Sequence, residues 1–198
     1  MIKQTFLISA ALLAGSVNTA FAQKDITTFG VKLGMNIATM TNGENPTPRV
    51  GLNIGVSGQY FVTSRFALEG NFLYSQQGLK EREDGVNGTI KIDYLTIPLL
   101  AKFYPMATGF NIYGGPQFGF AVNKKVKVDV SGVTVEESIR DLVNTFDFGL
   151  ALGMGYDFDF GLTLDLRCNP GFTRIFKYDI DGENSRNVVF TIGAGYKF

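Results

Sequence analysis

The chain has no histidine, no tryptophan and one cysteine, Cys168. The missing histidine removes the side chain best suited to proton transfer near neutral pH, which disfavours the commonest general acid–base chemistry. A lone cysteine cannot close an internal disulfide, so the fold is not a disulfide scaffold. Charge of either sign is not in excess: 18 basic residues face 18 acidic ones, and such a balance leaves no electrostatic footprint for nucleic acid. Beyond the first two dozen residues there is no apolar run long enough to cross a bilayer as a helix. A membrane crossing, if there is one, must be made by strands.

The first residues read as an export signal. Lys3 is the only charge before Lys24, Phe6-Leu7-Ile8 through Leu12-Leu13-Ala14 form a short apolar core, and Ala20-Phe21-Ala22 supplies the small-x-small pattern of a cleavage site. Cleavage is expected before Gln23, leaving residues 1–22 as signal peptide and 23–198 as one domain. The apolar core is too short to span ~30 Å of hydrocarbon as a helix, and no cysteine stands at the cleavage site to make a lipoprotein.

What the chain does have is glycine and aromatics: 24 Gly, 18 Phe and 8 Tyr. They fall into alternating runs. In Asn187–Phe198, Val188, Phe190, Ile192, Ala194, Tyr196 and Phe198 alternate with Asn187, Thr191, Gly193, Gly195 and Lys197. A period of two puts the sets on opposite faces of a sheet. The pattern recurs in Phe29–Ile37, Val50–Tyr60, Phe66–Ser75, Phe110–Phe120, Phe146–Tyr156 and Leu162–Arg167. The stretch Ile90–Tyr104 is less regular, and Pro98 predicts a bulge or phase shift there. Eight strands result.

Alternation alone does not say which face is inside. Three features decide it. The less apolar face carries many glycines and few charges, which suits the crowded lumen of an eight-stranded barrel and not a soluble surface. Phe29, Tyr60, Phe66, Phe103, Tyr104, Phe110, Phe158, Phe160, Tyr196 and Phe198 gather at strand ends, as a membrane-interface girdle requires. Connections alternate: 62–65, 105–109 and 157–161 are tight, whereas 39–49, 77–89, 121–145 and 174–186 are long and polar. Short turns on the periplasmic side and long loops outside are the outer-membrane arrangement. The expected fold is all-β, an eight-stranded antiparallel up-and-down transmembrane barrel.

Particular segments resemble a known group. Tyr94-Leu95-Thr96-Ile97-Pro98-Leu99-Leu100-Ala101-Lys102-Phe103-Tyr104 and Phe29-Gly30-Val31-Lys32-Leu33-Gly34-Met35-Asn36 are similar to strands of Bacteroidetes outer-membrane β-barrel proteins, the porin-family or PorT-like group. Gly195-Tyr196-Lys197-Phe198 resembles the signal read by the barrel-assembly machinery, with Tyr196 and Phe198 as its aromatic residues. The resemblance covers the mature chain and implies the fold and an outer-membrane location. Some members are called porins, and the PorT branch is associated with protein secretion.

Candidate chemistry is sparse. Small outer-membrane barrels that are acyltransferases, deacylases or proteases resemble one another in using His, which is missing here; Ser57 and Ser75 face inward with no evident base, and read as polar filler. The glycines of Gly149–Gly155 are not followed by the Lys-Ser/Thr of a phosphate loop. Asp157 and Asp159 read as turn residues. Asp179, Asp181 and Glu183 lack the full spacing of a calcium loop and read as a solvated acidic segment. No cofactor or metal is expected.

The inward phase does collect charges: Lys32, Glu69, Lys102, Asp165, Arg167 and Lys197. Isolated in a lumen they would be costly, so they should pair, as a polar plug or as an ion pathway; eight strands leave little bore and favour the plug. Outside, Val122, Lys124, Val126, Val128 and Val130 continue the outward phase of their strand, with Lys124 at the lipid boundary. Thr134–Val143 then returns as strand or as a helical turn begun by Glu136-Glu137. The functional expectation is a non-enzymatic barrel whose partners are outer-membrane lipid, the assembly machinery and a protein at external loop 121–145, with a narrow pore as the alternative.

Overall fold

The computed structural model describes residues 27–41, 47–83, 86–106, 108–130, 133–139, 141–176 and 185–198. Residues 1–22, the expected signal peptide, and the acidic run Asp179, Asp181 and Glu183 lie outside the described residues. Nine strands form one antiparallel sheet: β1 (Thr27–Met40), β2 (Thr47–Thr63), β3 (Phe66–Glu83), β4 (Val86–Phe103), β5 (Phe110–Val130), β6 (Val133–Ser138), β7 (Phe146–Asp157), β8 (Leu162–Pro170) and β9 (Asn187–Lys197). Each pairs with its sequence neighbour, except that β5 passes to β7 over the short β6 and β9 returns to β1. Eight strands therefore close the barrel, and β6 is an outgrowth paired to the upper part of β5.

The faces are those the alternation implies. Leu33, Ile54, Leu152 and Ile192 are exposed on the outside, whereas Asn36, Asn53, Ser75, Glu69, Lys102 and Thr191 are buried inside. Such an inside-out distribution suits a lipid surround, where closure leaves no barrel strand with an unpaired edge. The inner face stays narrow through its glycines. At Gly153 a Cβ would lie 2.6 Å from Cζ of Tyr113, whose ring fills the lumen there. The short turns use glycine differently: Gly109 (φ 75°) and Gly161 (φ 97°) adopt the left-handed backbone that tight reversal demands.

Several expectations need correction. The long connections 77–89 and 121–145 are largely ladder, since β3 and β4 pair up to Glu83 and Val86, and β5 and β6 up to Val130 and Val133. Their polarity reflects strands that have left the lipid, not loops. Pro98 causes no phase shift: β3 and β4 hold one register on both sides of it, with Gly70 opposite Leu99 and Leu73 opposite Thr96. The irregularity sits higher, where Tyr94 faces Ala121 but Asp93 faces Asn123, so Val122 is the extra residue of a bulge in β5. That bulge reverses the phase of β5 above it. Lys124 thus turns inward, buried, instead of marking the lipid boundary, and donates to Val143 O and Thr145 Oγ1, each at 2.9 Å. Of the two forms expected after Thr134, the strand is the one present, through Ser138. Tyr104 leaves the girdle: it has the parity of Lys102 and is buried in the lumen.

Candidate functional site

The lumen is filled in three tiers, each assembled from the inward parity of several strands. Nearest the short turns is a tier of charge. Glu69 of β3 accepts from Lys32 of β1 at 2.6 Å and from Lys102 of β4 at 3.1 Å, with Lys197 of β9 at 3.9 Å. Asp157, the last residue of β7, meets Lys197 at 2.7 Å and Lys102 at 3.4 Å. Beside them Arg167 meets Asp165 at 3.2 Å within β8, and Tyr113 OH donates to the same carboxylate at 2.6 Å. All six charges singled out in the sequence lie here. Lys32, Glu69, Lys102 and Lys197 share one cluster, while Asp165 and Arg167 form a neighbouring pair.

Four participants escaped the sequence reading. Asp157 was expected in a turn, Tyr104 in the girdle, and Gln59 and Tyr113 had no role. Tyr104 OH donates to Asp157 at 2.7 Å, Gln59 Nε2 donates to Tyr104 OH at 3.1 Å, and Lys197 Nζ donates to Gln59 Oε1 at 2.7 Å. Lys102 Nζ also stands 5.9 Å from the Tyr104 ring centre and 5.8 Å from that of Tyr113, within cation–π reach. The signal was parity. Asp157 continues the Asp147–Gly155 phase by one step, Tyr104 that of Lys102, and Tyr113 that of Asn111.

The middle tier is uncharged. Asn36 Nδ2 donates to Ser75 Oγ at 2.9 Å, while its Oδ1 accepts from Asn53 at 3.1 Å and Thr191 at 2.8 Å. Gln77 also donates to Ser75 Oγ, at 3.0 Å, so this serine is held as an acceptor, the filler role expected of it. Higher up, Asn169 donates to Gln117 Oε1 at 2.8 Å. Amides serve this position well because one side chain both donates and accepts, linking strands without a charge to compensate.

The top tier was not foreseen. Met40, Leu79, Ile92, Tyr94 and Ala121 point inward at the external mouth and pack with Val143 and Ile175, which come from the segments following β6 and β8. Those segments are bonded to one another: Asn144 N donates to Ile175 O at 2.8 Å, and Val143 bridges Phe176. Thr41 N donates to Arg186 O at 2.9 Å, drawing the start of β9 to the end of β1. The mouth is therefore closed by an apolar lid, with Asn187 Nδ2 bonded to Tyr94 OH at 3.2 Å beneath it.

The sequence model of the outer membrane protein beta-barrel domain matches residues 21–177. No curated protein matches the chain. Among solved structures, the chain is similar to Ail, the attachment invasion locus protein of Yersinia pestis (16% identity, 89% of this chain and 100% of that one covered, TM-score 0.48). It is similar also to Neisserial surface protein A (14% identity, 87% and 97%, TM-score 0.48) and to OprG of Pseudomonas aeruginosa (17% identity, 87% and 96%, TM-score 0.44).

Proposed function

We propose, from the premise that the chain belongs to the outer membrane protein beta-barrel domain family, that it is a non-enzymatic barrel working through its external surface and not through its lumen. Its place in the outer membrane follows from that membership. The observation that carries the rest is the double closure of the bore. The charged tier fills the periplasmic half, and the lid of Val143 and Ile175 packs into the opposite mouth. A bore crossed by paired long side chains and then by an apolar layer conducts poorly.

The candidate working surface lies within 121–145. β5 rises to Val130 and β6 returns beside it, and β6 stands last in the sheet order, paired on one side with β5. Its other side can accept an extended segment of a partner protein by backbone pairing, and Val135 is exposed there. Export with the leader removed before Gln23, and insertion by assembly machinery reading Tyr196 and Phe198, complete this reading, which is compatible with a PorT-like part in secretion.

One observation favours the alternative of a narrow pore. Both side-chain polar atoms of Asn71, and Nε of Arg167, are buried without a protein partner among the described residues; water in the lumen would satisfy them. Planar-bilayer recording separates the readings. The closed barrel gives no steady single-channel conductance, and capture of a protein lost on deleting residues 125–138 supports the external surface. Steady conductance of the intact chain would make the pore the correct reading.

A further inference from the structure

Directly paired residues share a face of a sheet, so the register lays out the outer wall of β3, β4, β5, β6 and the start of β7 in rows. Tyr74, Leu95, Phe120 and Phe146 make one apolar row. Above it stand Gln76, Asp93 and Asn123, then Gly78, Lys91 and Lys125, then Lys80, Thr89, Lys127 and Glu136. Rows are two residues apart, so the lysines begin about 13 Å along the strands beyond the aromatic row, and less along the membrane normal because barrel strands tilt. That is headgroup depth, within the reach of a lysine stem lying back along an apolar wall.

Among the described residues the charges in this patch do not balance. Lys91 stands directly opposite Lys125, a like-charge cross-strand pair that is unfavourable by itself. Glu136 meets Lys125 at 3.0 Å. Its carboxyl is held below the ordinary value by that hydrogen bond first and by the charge of Lys125, with Lys91 and Lys127 adding to the effect. Among the described residues, one carboxylate is thus shared among three lysines. Asp93 is engaged elsewhere, accepting from Tyr74 at 2.9 Å and Asn123 at 3.0 Å and facing Arg49 at 3.8 Å. The Arg49 guanidinium is held as well, donating to Gln77 O.

We propose that Lys91, Lys125 and Lys127 form a binding site for the phosphate of an outer-leaflet lipid headgroup. An anion between Lys91 and Lys125 turns their repulsion into two charge-assisted contacts. A lipid is the source that fits, because the apolar row of Leu95 and Phe120, with exposed Val122, lies just below to receive acyl chains. The inference needs only the outer-membrane location and is independent of whether the lumen conducts or a protein binds β6.

The test uses the full barrel in phosphatidylcholine nanodiscs, plain or doped with bisphosphorylated or dephosphorylated lipid A. The barrels compared are the wild type, the triple variant Lys91→Gln, Lys125→Gln, Lys127→Gln, and Arg65→Gln at the opposite rim as control. Native mass spectrometry counts retained lipid, and gel mobility after heating reports the unfolding temperature. The wild type and the control retain bisphosphorylated lipid about tenfold or more better than the triple variant, and none of the three retains the dephosphorylated lipid. In plain phosphatidylcholine the triple variant is at least as heat-resistant as the wild type, because the Lys91–Lys125 repulsion is gone, and the order reverses when bisphosphorylated lipid is present. Equal retention by wild type and triple variant, or equal retention of both lipids, would overturn the site. Inorganic phosphate in plain discs raising the wild-type unfolding temperature as far as the lipid does would overturn the lipid as its occupant.

Discussion

Lys32 Nζ stands 2.6 Å from Glu69 Oε1, joining β1 to β3 across the intervening β2. Lys102 approaches the other oxygen of the same carboxylate at 3.1 Å, so Glu69 is the hinge of the charged tier. Removing it leaves buried cations facing one another, a defect worth about 3–5 kcal/mol when one partner of a buried pair is lost. Glu69→Ala should therefore lower the urea stability of the lipid-inserted barrel more than Glu69→Ala combined with Lys102→Ala. With no tryptophan in the chain, circular dichroism and gel mobility are the practical readouts. A double variant weaker by the sum of the single effects would mean that the two side chains are not coupled.

The lipid-facing wall makes its own prediction. Leu152 lies on the outside of β7 opposite Gly114 and Cys168, well away from either rim. Leu152→Arg should cost about 2–4 kcal/mol, whereas Phe66→Arg, beside the short β2–β3 turn, should cost about 0–1 kcal/mol because the guanidinium reaches the interface. The comparison is made by denaturant titration in vesicles. Similar costs at both positions would contradict the placement of the lipid belt.

Closure predicts resistance to detergent. With β4 paired to β5 and β1 to β9, no barrel strand offers an edge from which unravelling begins. Unboiled refolded protein should migrate as a compact species in sodium dodecyl sulphate and shift on boiling. Identical migration before and after boiling would count against a closed barrel.

How much of this the sequence revealed follows from what alternation can and cannot encode. Parity gave both faces of the barrel strands, except in β5 beyond Val122, and the six lumen charges, because a period of two is a local property. It also contains Asp157, one step past the last apolar residue of its strand, and Tyr104 and Tyr113, aromatics of inward parity in a pattern whose other aromatics mostly face outward. The bulge at Val122 was not legible: the run of valines keeps alternating through it, and only the register against β4 shows the extra residue. The lid was hidden for a similar reason. Val143 and Ile175 lie in segments without periodicity, and their burial depends on contacts between parts of the chain far apart in sequence.

The lid changes what should happen when the charged tier is opened. Ion flow through a bore is limited by its narrowest and least polar section, and here two barriers lie in series. Glu69→Ala with Lys102→Ala shortens side chains in the lower barrier alone. The upper one, where Ile92, Met40, Val143 and Ile175 pack together, is untouched and excludes ions through the cost of desolvating them. Planar-bilayer recordings of that double variant should therefore stay nearly silent. Adding Val143→Ser and Ile175→Ser, which makes the lid polar and smaller without touching a barrel strand, should bring steady conductance. The lid changes alone should give at most brief openings, because Lys32, Lys102 and Lys197 still converge on Glu69 below. Steady conductance from the double variant with the lid intact would show that Val143 and Ile175 do not seal the mouth, and the charged tier would then be the only gate.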